Sequence, residues 1–235
     1  MYNTFLKTLD NILEEPLLYV GSKNLKCIYS FFSGFSVGGC SHDEDLFWEE
    51  FTKFVSRKYD VNKWEALNWA SIIEYYANYD EETAFKIFSE DIKCFLKRNK
   101  YFIKEKEKCD FDTCPTVNDL HSLIDLSITK PYLMVGYPSV QRLYAMINGF
   151  LIGNKFTDDV HFMDSFNTFI KKKYNVKNDA KWPTIIRVQN IGMDDKRAFE
   201  IFSKDYYEFL SQAFNSWTII DTTIDYVRLL ICIFT

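Results

Sequence analysis

The chain has 235 residues, of which 47% are hydrophobic, 26% charged and 18% aromatic; it is long enough to bury a substantial core, and its composition excludes a disordered or low-complexity protein. Its formal net charge of −5 is unevenly divided, with 11 basic and 16 acidic groups in residues 1–98 but 11 basic and 9 acidic in residues 131–213. An acidic first half argues against a nucleic-acid-binding protein, whose affinity comes from neutralising phosphates, and favours a basic partner.

The first amphipathic stretch carries Phe5, Leu6, Leu9, Ile12 and Leu13 and stops at Pro16, because a proline lacks the N–H and the space that a continuing helix needs. Pro16-Leu-Leu-Tyr-Val-Gly21 then reads as a turn. Leu25, Ile28, Tyr29 and Phe32 follow at i, i+3, i+4, i+7, which is one apolar helix face. Gly34 and Gly38 fit a helix end or a close helix contact better than a phosphate loop, since no strand precedes them and no Lys-Ser/Thr follows.

His42-Asp43-Glu44-Asp45 opens a helix bearing Phe47, Phe51 and Phe54. Imidazole and carboxylates can ligate transition metals, but the same residues are what an N-cap and an acidic first turn require. Trp69-Ala-Ser-Ile-Ile-Glu-Tyr75-Tyr76-Ala-Asn-Tyr79 gathers aromatics beside Asp80-Glu81-Glu82. Tyrosines next to carboxylates suit a protein interface, whereas Trp69 is expected in the core. The last helix of this stretch carries Phe85, Phe88, Ile92, Phe95 and Leu96, with Asp80 as N-cap.

Residues 99–118 alternate Lys and Glu and then pass through Cys109 and Cys114, which reads as a helix extension followed by a loop linking two halves. A zinc site needs four ligands, and no second close pair accompanies these thiols. The six cysteines are irregularly spaced and the chain opens Met-Tyr-Asn without a basic and then apolar leader, so reduced thiols in the cytoplasm are expected. Neither a metal nor a cofactor is expected. The apolar tail over 214–235 is interrupted by Asp221, Asp225 and Arg228, which makes it a poor membrane span and a better docked helix.

At an offset of 115 residues the chain repeats itself. Pro16 to Gly21 matches Pro131-Tyr-Leu-Met-Val-Gly136, Tyr29 matches Tyr144, Gly34 and Gly38 match Gly149 and Gly153, and Phe47, Phe51 and Phe54 match Phe162, Phe166 and Phe169. Lys58-Tyr59 matches Lys173-Tyr174, and after small gaps Trp69 meets Trp182 and Ala84-Phe85 meets Ala198-Phe199. Val140, Leu143, Tyr144 and Ile147 keep the helical spacing of the first copy. The histidines are not kept: His42, His121 and His161 face Thr157, Leu6 and Leu46. No histidine base is therefore common to both copies, which argues against a catalytic site in each. The expected fold is all-α, a tandem duplication of a four- to five-helix unit over 1–98 and 119–213, in a pseudo-twofold or stacked arrangement.

An opening Glu15-Pro16-Leu-Leu-Tyr19-Val-Gly21 and Lys130-Pro131-Tyr-Leu-Met134-Val-Gly136, with a closing Glu81-Glu82-Thr-Ala84-Phe85-Lys-Ile-Phe88, resembles small helical bacterial immunity proteins of contact-dependent inhibition and polymorphic toxin systems. Those open on Arg-Pro-x-Met-Tyr-x-Gly and close on Asp/Glu-Glu-x-Ala-Phe-x-x-Phe. Glu15 and Lys130 stand where the family has arginine, so that residue's role is not carried over. The resemblance implies a cytoplasmic, non-enzymatic protein that binds the C-terminal domain of a cognate toxin, a basic nuclease being the natural complement of an acidic face. The expected contacts are Asp43, Glu44, Asp45, Tyr75, Tyr76, Tyr79, Asp80, Glu81 and Glu82. Two further readings compete: a helical-repeat adaptor for another protein, and an enzyme with one site between the repeats.

Overall fold

The computed structural model describes residues 2–39, 42–61, 67–99, 117, 119–154 and 157–217, excepting the side chains of 2–3, 42–44, 157–158 and 213–217. The fold is all-helical, with no strand among the described residues. Among the described residues twelve helices run in order: α1 (Tyr2–Glu14), α2 (Pro16–Tyr19), α3 (Leu25–Gly39), α4 (His42–Lys58), α5 (Trp69–Tyr76), α6 (Glu81–Arg98), α7 (Leu120–Thr129), α8 (Pro131–Met134), α9 (Val140–Asn154), α10 (Thr157–Lys173), α11 (Trp182–Gln189) and α12 (Asp195–Trp217). Most of the expected linker and tail helix, residues 100–116 and 218–235, lies outside the described residues.

Each half holds six helices among its described residues, where four or five were expected, because both proline turns are helical. Pro16 and Pro131 sit at the first helical position, where a missing N–H costs nothing and the ring pre-sets φ. One turn forms before Gly21 and Gly136 take the backbone left-handed at φ 74° and 71°. Val20 and Val135 close these turns by donating to the carbonyls of Pro16 and Pro131, both at 2.9 Å.

Two compact units result, residues 1–161 and 162–235. In the first, Phe5, Leu9 and Ile12 of α1 pack with Phe31, Phe32 and Phe35 of α3, Phe47 and Phe51 of α4, Trp69 and Ile73 of α5, and Phe88 and Ile92 of α6. α9 joins this unit along α3, and glycines decide how closely. A Cβ built on Gly34 would lie 2.0 Å from the Met146 carbonyl oxygen, and one on Gly149 would lie 1.9 Å from that of Phe31. Gly38 and Gly153 meet the carbonyls of Phe150 and Phe35, each at 2.4 Å. The two backbones therefore touch, in a contact that only a residue without Cβ permits. The Gly-x-x-x-Gly spacing does mark a close helix contact.

An aromatic hub organises each unit internally. Phe51 lies 5.7 Å from Trp69 and 5.4 Å from Phe95, and Trp69 stacks on Phe88 at 4.9 Å. In the second unit Phe166 lies 5.7 Å from Trp182 and 5.5 Å from Phe209, with Trp182 on Phe202 at 4.8 Å. Ring pairs at such separations add about 0.5–1.5 kcal/mol each beyond the area they bury.

Candidate interaction surface

The α5–α6 turn is built from its two caps. Asn68 caps α5 by accepting from the Ser71 N–H at 2.9 Å, and Asp80 caps α6 by accepting from the Thr83 N–H at 2.8 Å. The bonds from Thr83 hold the Asp80 carboxyl below its ordinary pKa. Between them α5 ends in a Schellman motif, with Tyr79 N–H donating to the Glu74 carbonyl at 2.8 Å and Asn78 N–H to that of Tyr75 at 3.1 Å. Asn78 takes the usual left-handed position at φ 50°, but Tyr79 follows it at φ 60°. A second left-handed residue is not part of the motif, and a bulky side chain there is an outlier.

Three tyrosines project from this turn: Tyr75 is 48% exposed, Tyr76 43% and Tyr79 68%. Tyr76 is fixed in place. Its ring lies 4.6 Å from Tyr59, and its hydroxyl donates to the Tyr59 carbonyl. Tyr59 in turn donates to Asp91 Oδ2 at 2.9 Å, while the Lys58 ammonium bonds Asp91 Oδ1. Asp91 is only 1% exposed, so this clamp holds the C-terminus of α4 against α6. The second unit has the same clamp: Lys173 and Tyr174 each donate to Asp205 at 2.8 Å.

The clamp has a measurable consequence. Burial, and then the hydrogen bond to Asp205, push the Tyr174 phenol up to about 12. Because the folded value exceeds the unfolded value of about 10, this phenol contributes stability that is present below pH 10 and is lost as pH rises through 12. A phenolate absorbance titration should therefore show a late-ionising tyrosine that disappears in Tyr174→Phe. A single titration step near pH 10 for every tyrosine, in both proteins, counts against it.

A cleft of about 140 Å³ opens beside Tyr79, lined by Asn24, Lys26, Glu74, Tyr79, Glu81 and Ala84. Glu74 is 7% exposed. Lys26 Nζ stands 3.1 Å from Glu74 Oε2, outside hydrogen-bonding angles, so that oxygen is charge-balanced but accepts no aligned bond. Around the rim Asn24 donates to Glu81 at 2.8 Å and Lys23 to Glu82 at 3.1 Å.

Of the residues expected at an interface, the fold brings together Tyr75, Tyr76, Tyr79, Asp80, Glu81 and Glu82. Asp45 lies elsewhere, accepting from Ser36 at 2.6 Å and lining a separate cleft of about 270 Å³ with Trp48 and Trp69. The indole N–H groups of these two tryptophans are buried without acceptors. The side chains of Asp43 and Glu44, and Cys109 with Cys114, lie outside the described residues. Among the described residues no three His, Cys, Asp or Glu side chains converge as a metal site requires. No helix there is long and apolar enough to cross a membrane.

Sequence reasoning missed Glu74. It sits four residues after Ala70 and three before Ala77, both buried, so it falls on their stripe of the helix rather than among the tyrosines. The equivalent turn of the second half differs in chemistry: Val188, Ile191 and Met193 are exposed at 54%, 83% and 53%, and Arg187 occupies the place of Glu74. There Gly192 supplies the left-handed backbone at φ 90°, and Asp194 caps α12 by accepting from the Arg197 N–H at 2.8 Å. Comparison with protein-family models, curated proteins and solved structures gives no match.

Proposed function

We propose that this chain is a cytoplasmic immunity protein that binds the C-terminal domain of a cognate toxin, a basic nuclease, and covers it without chemistry of its own. It descends from a tandem duplication, with a local pseudo-twofold axis at the α3–α9 crossing, where Gly34 and Gly149 make reciprocal contacts. One copy then acquired the binding face, Tyr75, Tyr76, Tyr79, Asp80, Glu81 and Glu82.

The observation that carries this reading is Tyr79. A left-handed conformation costs an L-residue about 1–2 kcal/mol, Tyr79 is 68% exposed, and the corresponding turn of the second copy, one residue longer, has glycine at its left-handed position. Packing does not require this tyrosine. Strain retained on an exposed aromatic beside three carboxylates is what a partner-binding residue looks like.

Replacing Tyr79 by Gly separates function from stability. The variant should be as stable as the parent or more stable by about 0.5–1 kcal/mol, since relief of strain outweighs the added chain entropy. Its complex with the toxin domain encoded beside it should dissociate faster, at least tenfold for loss of an interface anchor of about 2 kcal/mol. Neutralising Asp80, Glu81 and Glu82 should slow association and flatten its salt dependence. Changes at Asp194 and Asp195 should leave both rates alone. Equal losses from the two copies, by surface plasmon resonance, would refute the assignment of the face to the first. A helical adaptor would use the same tyrosines, and failure to bind the neighbouring toxin, with capture of an unrelated basic protein, favours that second reading.

A further inference from the structure

We infer that the cleft beside Tyr79 is a receptor for one arginine side chain of the partner, with Glu74 as its acceptor; this rests on the binding reading above and names the contact at its centre. A carboxylate that is 7% exposed inside a helical unit is costly to keep unless something needs it there. Glu74 makes no capping bond and lies on a stripe where alanine serves on both sides. Its Oε2 is ion-paired with Lys26 at 3.1 Å but accepts no aligned hydrogen bond, so that oxygen keeps its acceptor capacity for a donor that can align with it.

A guanidinium matches the cleft in charge, shape and geometry. Glu74 and Glu81 line it, with Asp80 and Glu82 beside them, against Lys23 and Lys26, leaving a surplus of negative charge. The planar fork of arginine can offer aligned N–H groups to Glu74 and Glu81 together, and its flat face can stack on the exposed ring of Tyr79. A lysine ammonium is a point charge that would only duplicate Lys26. The Lys26 side chain is 37% exposed, so it can swing outward as the guanidinium enters. In the second copy Arg187, Gln141 and Gly192 stand in place of Glu74, Lys26 and Tyr79, so the acceptor and the stacking ring are not repeated there.

The test needs no toxin. The peptides acetyl-Gly-Arg-Gly-amide, its lysine counterpart and its citrulline counterpart are titrated into the full chain by heteronuclear NMR. Citrulline keeps the shape of arginine but not its charge. The arginine peptide should shift resonances of residues 24–26 and 74–84 and bind about tenfold or more tightly than citrulline, as expected for charge-assisted hydrogen bonds, with lysine between them. Glu74→Gln should abolish the difference between arginine and citrulline. Tyr79→Gly, which cannot unfold the protein by burial, should weaken both peptides, arginine more than citrulline, by removing the stacking face and its cation–π attraction. Equal affinity for arginine and citrulline, or arginine binding that survives both substitutions in folded variants, overturns the inference. Arginine selectivity in a chain that binds no toxin upholds the receptor and overturns the toxin reading. A toxin complex indifferent to Glu74→Gln upholds the toxin reading and overturns the receptor.

Discussion

Gly34→Ala and Gly149→Ala should each cost more than about 3 kcal/mol, beyond ordinary overpacking at about 1–3 kcal/mol. In an ordinary helix interior the same change stabilises by about 0.5–1 kcal/mol, so the sign itself is diagnostic. A methyl at either position would stand 2.0 or 1.9 Å from a carbonyl oxygen, and neither obstacle is a side chain that can rotate away. The helices must separate, and with them the contacts of Phe31, Phe35, Met146 and Phe150, all buried. Because the two glycines face equivalent atoms, their costs should be similar. Gly38→Ala, at 2.4 Å from Phe150, should cost less. Gly192→Ala meets no atom within 4 Å and should show only the backbone strain of its φ of 90°, about 1–2 kcal/mol. Urea denaturation followed by circular dichroism reads all four. Alanine at Gly34 and Gly149 within 1 kcal/mol of the parent would mean that the helices do not cross in contact.

Lys58→Met should destabilise more than Asp91→Asn, by about 3 against about 1 kcal/mol. Removing the lysine leaves a carboxylate that is 1% exposed with the Tyr59 hydroxyl as its remaining partner in the clamp, and an uncompensated buried charge is the expensive case. Asparagine at 91 keeps the volume and the bond from Tyr59, and it releases an ammonium that is already 46% exposed on its side chain and can be hydrated. What is lost is then a single hydrogen bond in net terms. Lys173→Met and Asp205→Asn should follow the same order, although Lys173 also bonds Glu208, which is exposed enough to lose that partner cheaply. Because Tyr76 is anchored on Tyr59, Lys58→Met should also loosen the tyrosine face and weaken partner binding; Lys173→Met should not. The reverse order of stabilities would show that the lysine, not the aspartate, is the dispensable member.

Local chemistry alone settled a good deal. Apolar residues at i, i+3, i+4 and i+7 determined that Leu25–Phe32 and Val140–Ile147 are helices and which face they bury. Asp80 marked a helix start because an N-cap oxygen is a requirement of the few residues around it. Tyr75, Tyr76 and Tyr79 beside carboxylates suggested an interface by residue type, while their exposure is a result of packing. Other features depended on residues far apart in the chain. Lys58-Tyr59 showed as a matched dipeptide, but its partner Asp91 lies 33 residues on and became visible only when α4 and α6 packed together. Glu74 drew no attention within the aromatic stretch, and it became notable only when the fold turned its stripe of α5 inward. Gly34 and Gly149 allowed either a helix end or a close contact, and only the packing of α3 on α9 decided for the contact and supplied its partner. The sequence by itself determined the helices and the caps that open them; tertiary packing decided which charges were buried and which tyrosines were exposed, because burial is a property of what folds over a side chain.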